Sequence, residues 1–316
     1  NIDNLILLGC GTSYHAGLIG IYYFKELCNF NTVQLFDGAE FSCRDIPKFG
    51  KTALILLSQS GETLDLVRCI KIGKDNNLFL IGIVNVVDSL IARSVNCGCY
   101  LNAGREVAVA STKSFTSQVI LLSMLAIWFS QIHKTKDNIK NQYIKDLRNL
   151  KMNMETTISI SYKLVEQLLK YFNHNSCFLL GKGKTEAIAK EGALKIKEMS
   201  YIHAEGYSSS SLKHGPFALL YKHFPVIIIA LDDENFNKVQ NSIHEVLARN
   251  AKIILITNKT INIKSSNIII IKIPYNETYG DLLSIIPIQL LAYKLSLQKS
   301  INPDMPRNLA KVVTVE

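Results

Sequence analysis

The feature that most narrows the folds open to this chain is that it nearly repeats itself. Displaced by 172 residues, Leu7-Leu8-Gly9-Cys10-Gly11 falls on Leu179-Leu180-Gly181-Lys182-Gly183, and Leu54–Leu57 falls on Val226–Ile229. At a displacement of 173, Asn77–Asn85 falls on Asn250–Asn258; at 171, Glu106 meets Glu277 and Gln118 meets Gln289. A drift of one residue either way is what small loop changes produce, so two copies of one unit are expected. Within each copy, short apolar runs alternate with helical patterns. Leu5–Leu8, Ala53–Leu57, Leu78–Val84 and Cys99–Leu101 read as strands, matched later by Cys177–Leu180, Val226–Leu231, Ile253–Thr257 and Ile268–Ile273. Helices are expected over His15–Cys28, Glu62–Lys74 and Lys113–Gln131. Apolar strands that do not alternate belong to a parallel sheet covered on both faces. The expected class is therefore α/β, in two copies joined by a polar helical stretch near 132–170.

Composition removes other classes. With 316 residues, 48% hydrophobic and 19% charged, the chain has enough apolar surface for two folded domains. No consecutive apolar run reaches the ~18 residues of a membrane span; Val119–Phe129 and Pro225–Leu231 fit a buried helix and a buried strand. The chain opens on a strand pattern instead of a signal peptide and lacks an initiator Met, so it reads as a piece of a longer protein. Seven scattered Cys, with no CxxC and no Cys/His cluster at zinc spacing, fit a reduced, cytoplasmic setting. The formal charge of +9 is dispersed. Its local concentration, eight Lys/Arg against four Asp/Glu in Lys134–Lys170, reads as a solvated helical linker, not a nucleic-acid surface.

Four places could carry chemistry. Ser58-Gln59-Ser60-Gly61-Glu62-Thr63 follows a buried strand and opens a helix, where hydroxyls and free amides suit a phosphate. The plainer alternative is an N-cap, with Ser60 or Thr63 satisfying orphan amides. The matched loop of the second copy, Ala230-Leu231-Asp232-Asp233-Glu234-Asn235, is acidic and would repel an anion. Gly9-Cys10-Gly11-Thr12-Ser13 is a second strand-to-helix turn. It fails the dinucleotide pattern GxGxxG at Tyr14, and no GxxxxGK(S/T) run exists. Together the two loops suggest a small phosphorylated ligand. Glu191, Lys195 and Glu198, at i, i+4 and i+7, read on spacing as an exposed ion-pair ladder, or else as a pair tuned for proton transfer on a carbonyl. Ser208–Ser211 and Leu212-Lys213-His214-Gly215-Pro216 look like an exposed loop, in which His214 is either solvated or an acid/base. Lys311 lies in a tail that propensity leaves frayed.

Taken in order, CGTSYHAG, SQSGETLD, EVAVASTKSFTSQ, EGALKIKEMSYIHAE, LKHGP and PRNLAKVVTVE resemble the synthase half of the glucosamine-6-phosphate synthase family, from Leu5 to Glu316. SQSGET alone marks the sugar isomerase (SIS) superfamily, whereas KEMSYIHAE to KHGP and PRNLAK are specific to the synthase. The resemblance implies two tandem SIS domains of flavodoxin-like three-layer α/β/α form, at 1–134 and, after a helical linker, within 135–300. Residues 301–316 would be an active-site tail. It implies a homodimer with the phosphosugar site at the dimer interface. Ser58, Gln59, Ser60 and Thr63 would hold the 6-phosphate with Ser13 nearby, and Thr12, Val109, Ser111 and Ala310 would line the sugar. Glu198 would move the proton between C1 and C2 with Lys195 assisting. His214, from the neighbouring subunit, would open the ring of fructose 6-phosphate. Lys311 would form a Schiff base with the C2 ketone, its amine kept unprotonated by a closed, cation-rich site. No cofactor, metal, nucleic acid or membrane is implied. The family's glutaminase domain, with its N-terminal Cys, is absent here. This chain by itself is therefore expected neither to hydrolyse glutamine nor to receive channelled ammonia, and the parent protein to do both. A stand-alone phosphosugar isomerase or deglycase, which needs no Schiff-base Lys, and a non-catalytic phosphosugar sensor are the alternatives.

Overall fold

The structure, a computed structural model, describes residues 2–311; the last residues of the expected tail, 312–316, lie outside the described residues. The chain divides into two compact units. The first runs to Asn141 and takes in the tail from Arg307; the second spans Gln142–Pro306.

The first unit contains β1 (Asn4–Gly9), α1 (Thr12–Leu27), β2 (Thr32–Asp37), β3 (Thr52–Ser58), α2 (Leu64–Asp75), β4 (Phe79–Val84), α3 (Leu90–Ser94), β5 (Cys97–Tyr100) and α4 (Lys113–His133). The helix α5 (Asp137–Leu168) follows. The second unit continues with β6 (Ser176–Gly181), α6 (Lys184–Ser200), β7 (His203–Ser208), β8 (Pro225–Ile229), α7 (Phe236–Leu247), β9 (Lys252–Thr257), β10 (Ile268–Lys272) and α8 (Gly280–Gln298). Every paired strand is parallel, in the orders β2-β1-β3-β4-β5 and β10-β9-β8-β6-β7. Read through the repeat, these are one topology. Displacement by 172 residues carries the bounds of β1 onto β6 and of α2 onto α7. It also carries Gly11 onto Gly183, and both open their helices at positive φ, 53° and 64°, which a side chain disfavours.

Strand alternation builds the two packed faces. In the first unit Ile6, Leu8, Leu54 and Leu56 meet Leu66, Cys69 and Ile70 of α2 and Ile91 of α3. Leu7, on the opposite face, lies beside α1 at Gly20, as does Leu122 of α4. The second unit does the same: Phe178, Leu180, Val226 and Ile228 meet Phe236, Val239, Ile243 and Val246 of α7. Leu179 faces α6 at Gly192, where Ile288 of α8 also arrives. Each fully buried Leu or Ile contributes roughly 1.5–3 kcal/mol, which makes the central strands the stable part of each sheet.

Several expectations need correction. The strands β2 and β7 were not expected, because both are edge strands with mixed burial and no continuous apolar run. α1 begins three residues earlier than expected and α2 two residues later. α4 and α8 are long and apolar enough to cross a membrane by length and composition, although no unbroken apolar run reaches that length; half and two thirds of their apolar windows are buried inside the fold. The Lys-rich stretch is not merely a solvated linker. From Gln142 onward α5 buries Tyr143, Leu150, Thr157, Ser161, Val165 and Leu168. The Asp146 carboxylate accepts from the Thr278 amide at 3.0 Å and the Thr278 hydroxyl at 2.8 Å.

Candidate active site

In a 2-1-3-4-5 sheet the order reverses between the first and third strands, and the loops leaving their carboxyl ends frame a crevice. In the first unit those loops are Gly9 to α1 and Ser58 to α2. Ser58 is buried at the end of β3; its hydroxyl accepts from the Gly61 amide at 2.9 Å and pairs with the Thr63 hydroxyl at 3.1 Å. The Ser60 hydroxyl accepts from the Glu62 amide at 3.2 Å, and the Glu62 carboxylate accepts from the Leu90 amide at 2.9 Å. Gly61 sits at φ 69° and a Cβ there would stand 2.0 Å from the Ser89 hydroxyl. Neither Ser60 nor Thr63 caps α2 itself through its side chain; Ser60 instead takes the Glu62 amide just ahead of the helix. Across the crevice Ser13 is buried, and its hydroxyl accepts from the Gln118 amide nitrogen at 2.9 Å, leaving its own proton to donate. Gln59 within the Ser58–Thr63 loop and Thr12 at the first position of α1 are both half-buried.

The tail enters the same unit. Lys311 donates to Glu106 at 3.0 Å and to the Ser111 hydroxyl at 3.2 Å. Ala310 beside it is exposed, and Val109 is half-buried. The Glu106 side chain is 3% exposed. Its carboxylate also accepts from the Thr112 amide at 2.9 Å, the Ser114 amide at 3.2 Å and the Ser114 hydroxyl at 2.7 Å. Burial works against the charge, but the Ser114 hydroxyl, the Thr112 amide and Lys311 outweigh it and hold the carboxyl at about 2. Within this unit Lys311 therefore meets a carboxylate, not the cation-rich surroundings expected of it.

The second unit holds the other candidates. Lys195 lies between two carboxylates of α6, 3.5 Å from Glu191 and 2.6 Å from Glu198. The ladder spacing is right, but its exposure is not: Lys195 and Glu191 are 0% exposed and the Glu198 side chain only 18%. α6 is packed against β6, β7 and α8, and small residues (Ala187, Ala189, Gly192, Ala193) let its neighbours close over the charges. Burial favours the neutral Lys195 amine, yet Glu191 and Glu198 outweigh it and hold the ammonium above its ordinary value. Ser208 ends β7 and Ser209–His214 is a 3-10 turn that buries Ser209 and Leu212, so the expected open loop is partly packed; His214 itself is exposed. In the acidic loop of this copy Asp232 is paired to Lys259 at 2.6 Å. Burial, aided by Glu234 and opposed by the Asn235 amide, pushes the Asp233 carboxyl up. Among the described residues no group of three or more His, Cys, Asp or Glu stands together as a metal site.

Two residues that bond to the expected site side chains were not singled out from the sequence. Glu106 and Gln118 recur in the repeat as Glu277 and Gln289, a signal that marked architecture without revealing contacts to Lys311 and Ser13.

Against known proteins, the SIS domain family matches residues 1–128 and 170–299. The chain is 53% identical over its whole length to a protein named as a probable glutamine–fructose-6-phosphate aminotransferase (isomerizing) of Acanthamoeba polyphaga mimivirus, of which it covers 52%. It is 38% identical, over 99% of its length, to glutamine–fructose-6-phosphate aminotransferase (isomerizing) 2 of Homo sapiens, covering 46% of it. A solved C-terminal domain of glucosamine-fructose-6-phosphate aminotransferase from Francisella tularensis matches with a TM-score of 0.91 at 30% identity, over 96% of this chain and 87% of that one. The chain thus spans about half the length of the curated relatives it matches.

Proposed function

This chain belongs to the SIS domain family and matches the C-terminal isomerase part of glutamine–fructose-6-phosphate aminotransferase; from that premise we propose that it turns fructose 6-phosphate and ammonia into glucosamine 6-phosphate. The observation that carries this reading is Lys311, whose amine stands 3.2 Å from the Ser111 hydroxyl inside the unit that bears the Ser58–Thr63 loop. A simple aldose–ketose isomerase has no use for an amine there, and a phosphosugar sensor has no use for a buried carboxylate–amine pair such as Lys195 and Glu198.

In this reading the hydroxyls of Ser58, Ser60 and Thr63, with Gln59, the amides opening α2 and Ser13, take the 6-phosphate; the helix N-terminus favours its charge. Thr12, Val109, Ser111 and Ala310 line the carbon chain. His214, supplied by a second copy of the chain, opens the furanose ring. Lys311 condenses with the C2 ketone with loss of water, and ammonia then displaces the lysine. Glu198 carries a proton between C1 and C2, and the Lys195 ammonium stabilises charge on the C1 oxygen. The ammonia comes from a glutamine-hydrolysing domain of the parent protein, and the enzyme works in the cytoplasm as a homodimer.

The test is an NMR time course with fructose 6-phosphate. Glucose 6-phosphate is expected to appear, and Glu198→Gln to slow it by roughly 10²–10⁴-fold. Binding of fructose 6-phosphate without turnover would favour the sensor. Lys311→Arg is expected to abolish amino-sugar formation while sugar phosphate still binds; unchanged synthesis would remove the tail from the chemistry.

A further inference from the structure

Glu106 has no part in the chemistry above, yet its carboxylate takes two amides, a hydroxyl and an ammonium. One oxygen accepts from the Thr112 and Ser114 amides, which folds 106–114 into a closed loop presenting Val109 and Ser111 and ties that loop to the start of α4. The other accepts from the Ser114 hydroxyl and from Lys311, 205 positions away. The remaining charges of this loop face elsewhere: Arg105 and Lys113 are exposed, with the Lys113 amine on the Arg105 carbonyl at 2.7 Å. Arg307 on the tail is also exposed.

We propose that Glu106 is a positioning residue for Lys311, one buried carboxylate that both shuts the sugar-lining loop and holds the tail amine beside Ser111. The inference rests on the Schiff-base role given to Lys311. The condensation is balanced around this pair: the ammonium sheds one proton to free its lone pair, the amine adds to C2, and that proton leaves with the C2 oxygen as water, so overall the ammonium and the ketone give a protonated imine and water and the nitrogen ends with the single positive charge it began with. Glu106 consequently faces a cation on the same nitrogen before and after the step. A neutral or misplaced partner would leave the amine free to swing with the tail.

The test uses the full-length protein and two readouts. Without sugar, the rate at which an amine-acylating reagent modifies Lys311 at pH 8, read by peptide mass spectrometry, is expected to rise about tenfold in Glu106→Gln, because a charge-assisted hydrogen bond is lost. Ser114→Ala loosens the same loop but keeps the ion pair, so its rate should stay within about twofold of wild type. Glu106→Asp keeps the charge at shorter reach and should give an intermediate rate, which preserves the comparison if Glu106→Gln does not fold. With fructose 6-phosphate and ammonia, kcat should fall about tenfold or more in Glu106→Gln while KM changes less than about threefold. Equal labelling in wild type and Glu106→Gln, or an equal rise in Ser114→Ala, overturns the proposal. If borohydride traps no sugar adduct on wild-type Lys311, the Schiff-base role falls, and the labelling rates still judge the ion pair.

Discussion

Single side chains decide how the Ser58–Thr63 loop is shaped. Gly61 holds a left-handed φ of 69°, and any Cβ would drive into the Ser89 hydroxyl at 2.0 Å. Gly61→Ala is therefore expected to destabilise the protein by about 1–3 kcal/mol and to weaken fructose 6-phosphate binding, which urea titration and calorimetry would check; an unchanged affinity would separate this loop from the phosphate. Glu106 makes a prediction about acid. Its carboxyl is held at about 2 against an ordinary 4.5, so its ionised form stabilises the fold above about pH 4.5. That contribution, of order 3 kcal/mol, is lost as pH falls from there towards about 2. Glu106→Gln should flatten the acid limb of melting temperature against pH in that window, and an unaltered limb would show that the pair does not contribute. The loop residues stood out in the sequence because hydroxyls around one glycine at a strand-to-helix turn form a local pattern. Glu106 was legible only as a repeated letter, because its partner Lys311 is far away along the chain.

Among the elements, α6 was the hardest to read. Its charges at i, i+4 and i+7 share a face on any helix, but spacing says nothing about what covers that face. Packing against β6, β7 and α8 turns a surface ladder into a buried anion–cation–anion row. Lys195→Met would leave two carboxylates facing each other, at a cost of roughly 3–5 kcal/mol by the measure of broken buried pairs. A urea midpoint equal to wild type would mean the row is solvated after all. β2 and β7 escaped notice for a related reason: both are edge strands of mixed burial whose sequences carry neither clean alternation nor an apolar run, unlike β10, an edge strand built on a run of isoleucines. The central strands β1, β3, β8 and β9, buried along their whole length, announced themselves.

At the scale of the whole molecule, duplication kept the topology in both units and the hydroxyl-rich loop in only one. The first copy ends β3 on Ser58 and its hydroxyl network, whereas the second follows β8 with Asp232 and Asp233. Calorimetric titration with fructose 6-phosphate should accordingly return one site per chain, and a stoichiometry of two would mean that the acidic loop binds as well. What the sequence determined by itself was the doubled α/β unit, its central strands and the loops that leave the strand-order reversal. Each of these follows from the order of apolar and polar residues over short stretches, and from the comparison of one half with the other. The tertiary structure alone decided which strands lie at the edges, which charges of α6 are buried, and that Lys311 meets Glu106 and Ser111. Those outcomes depend on which surfaces close over one another and on contacts between residues as far as 205 positions apart, and no local pattern encodes either.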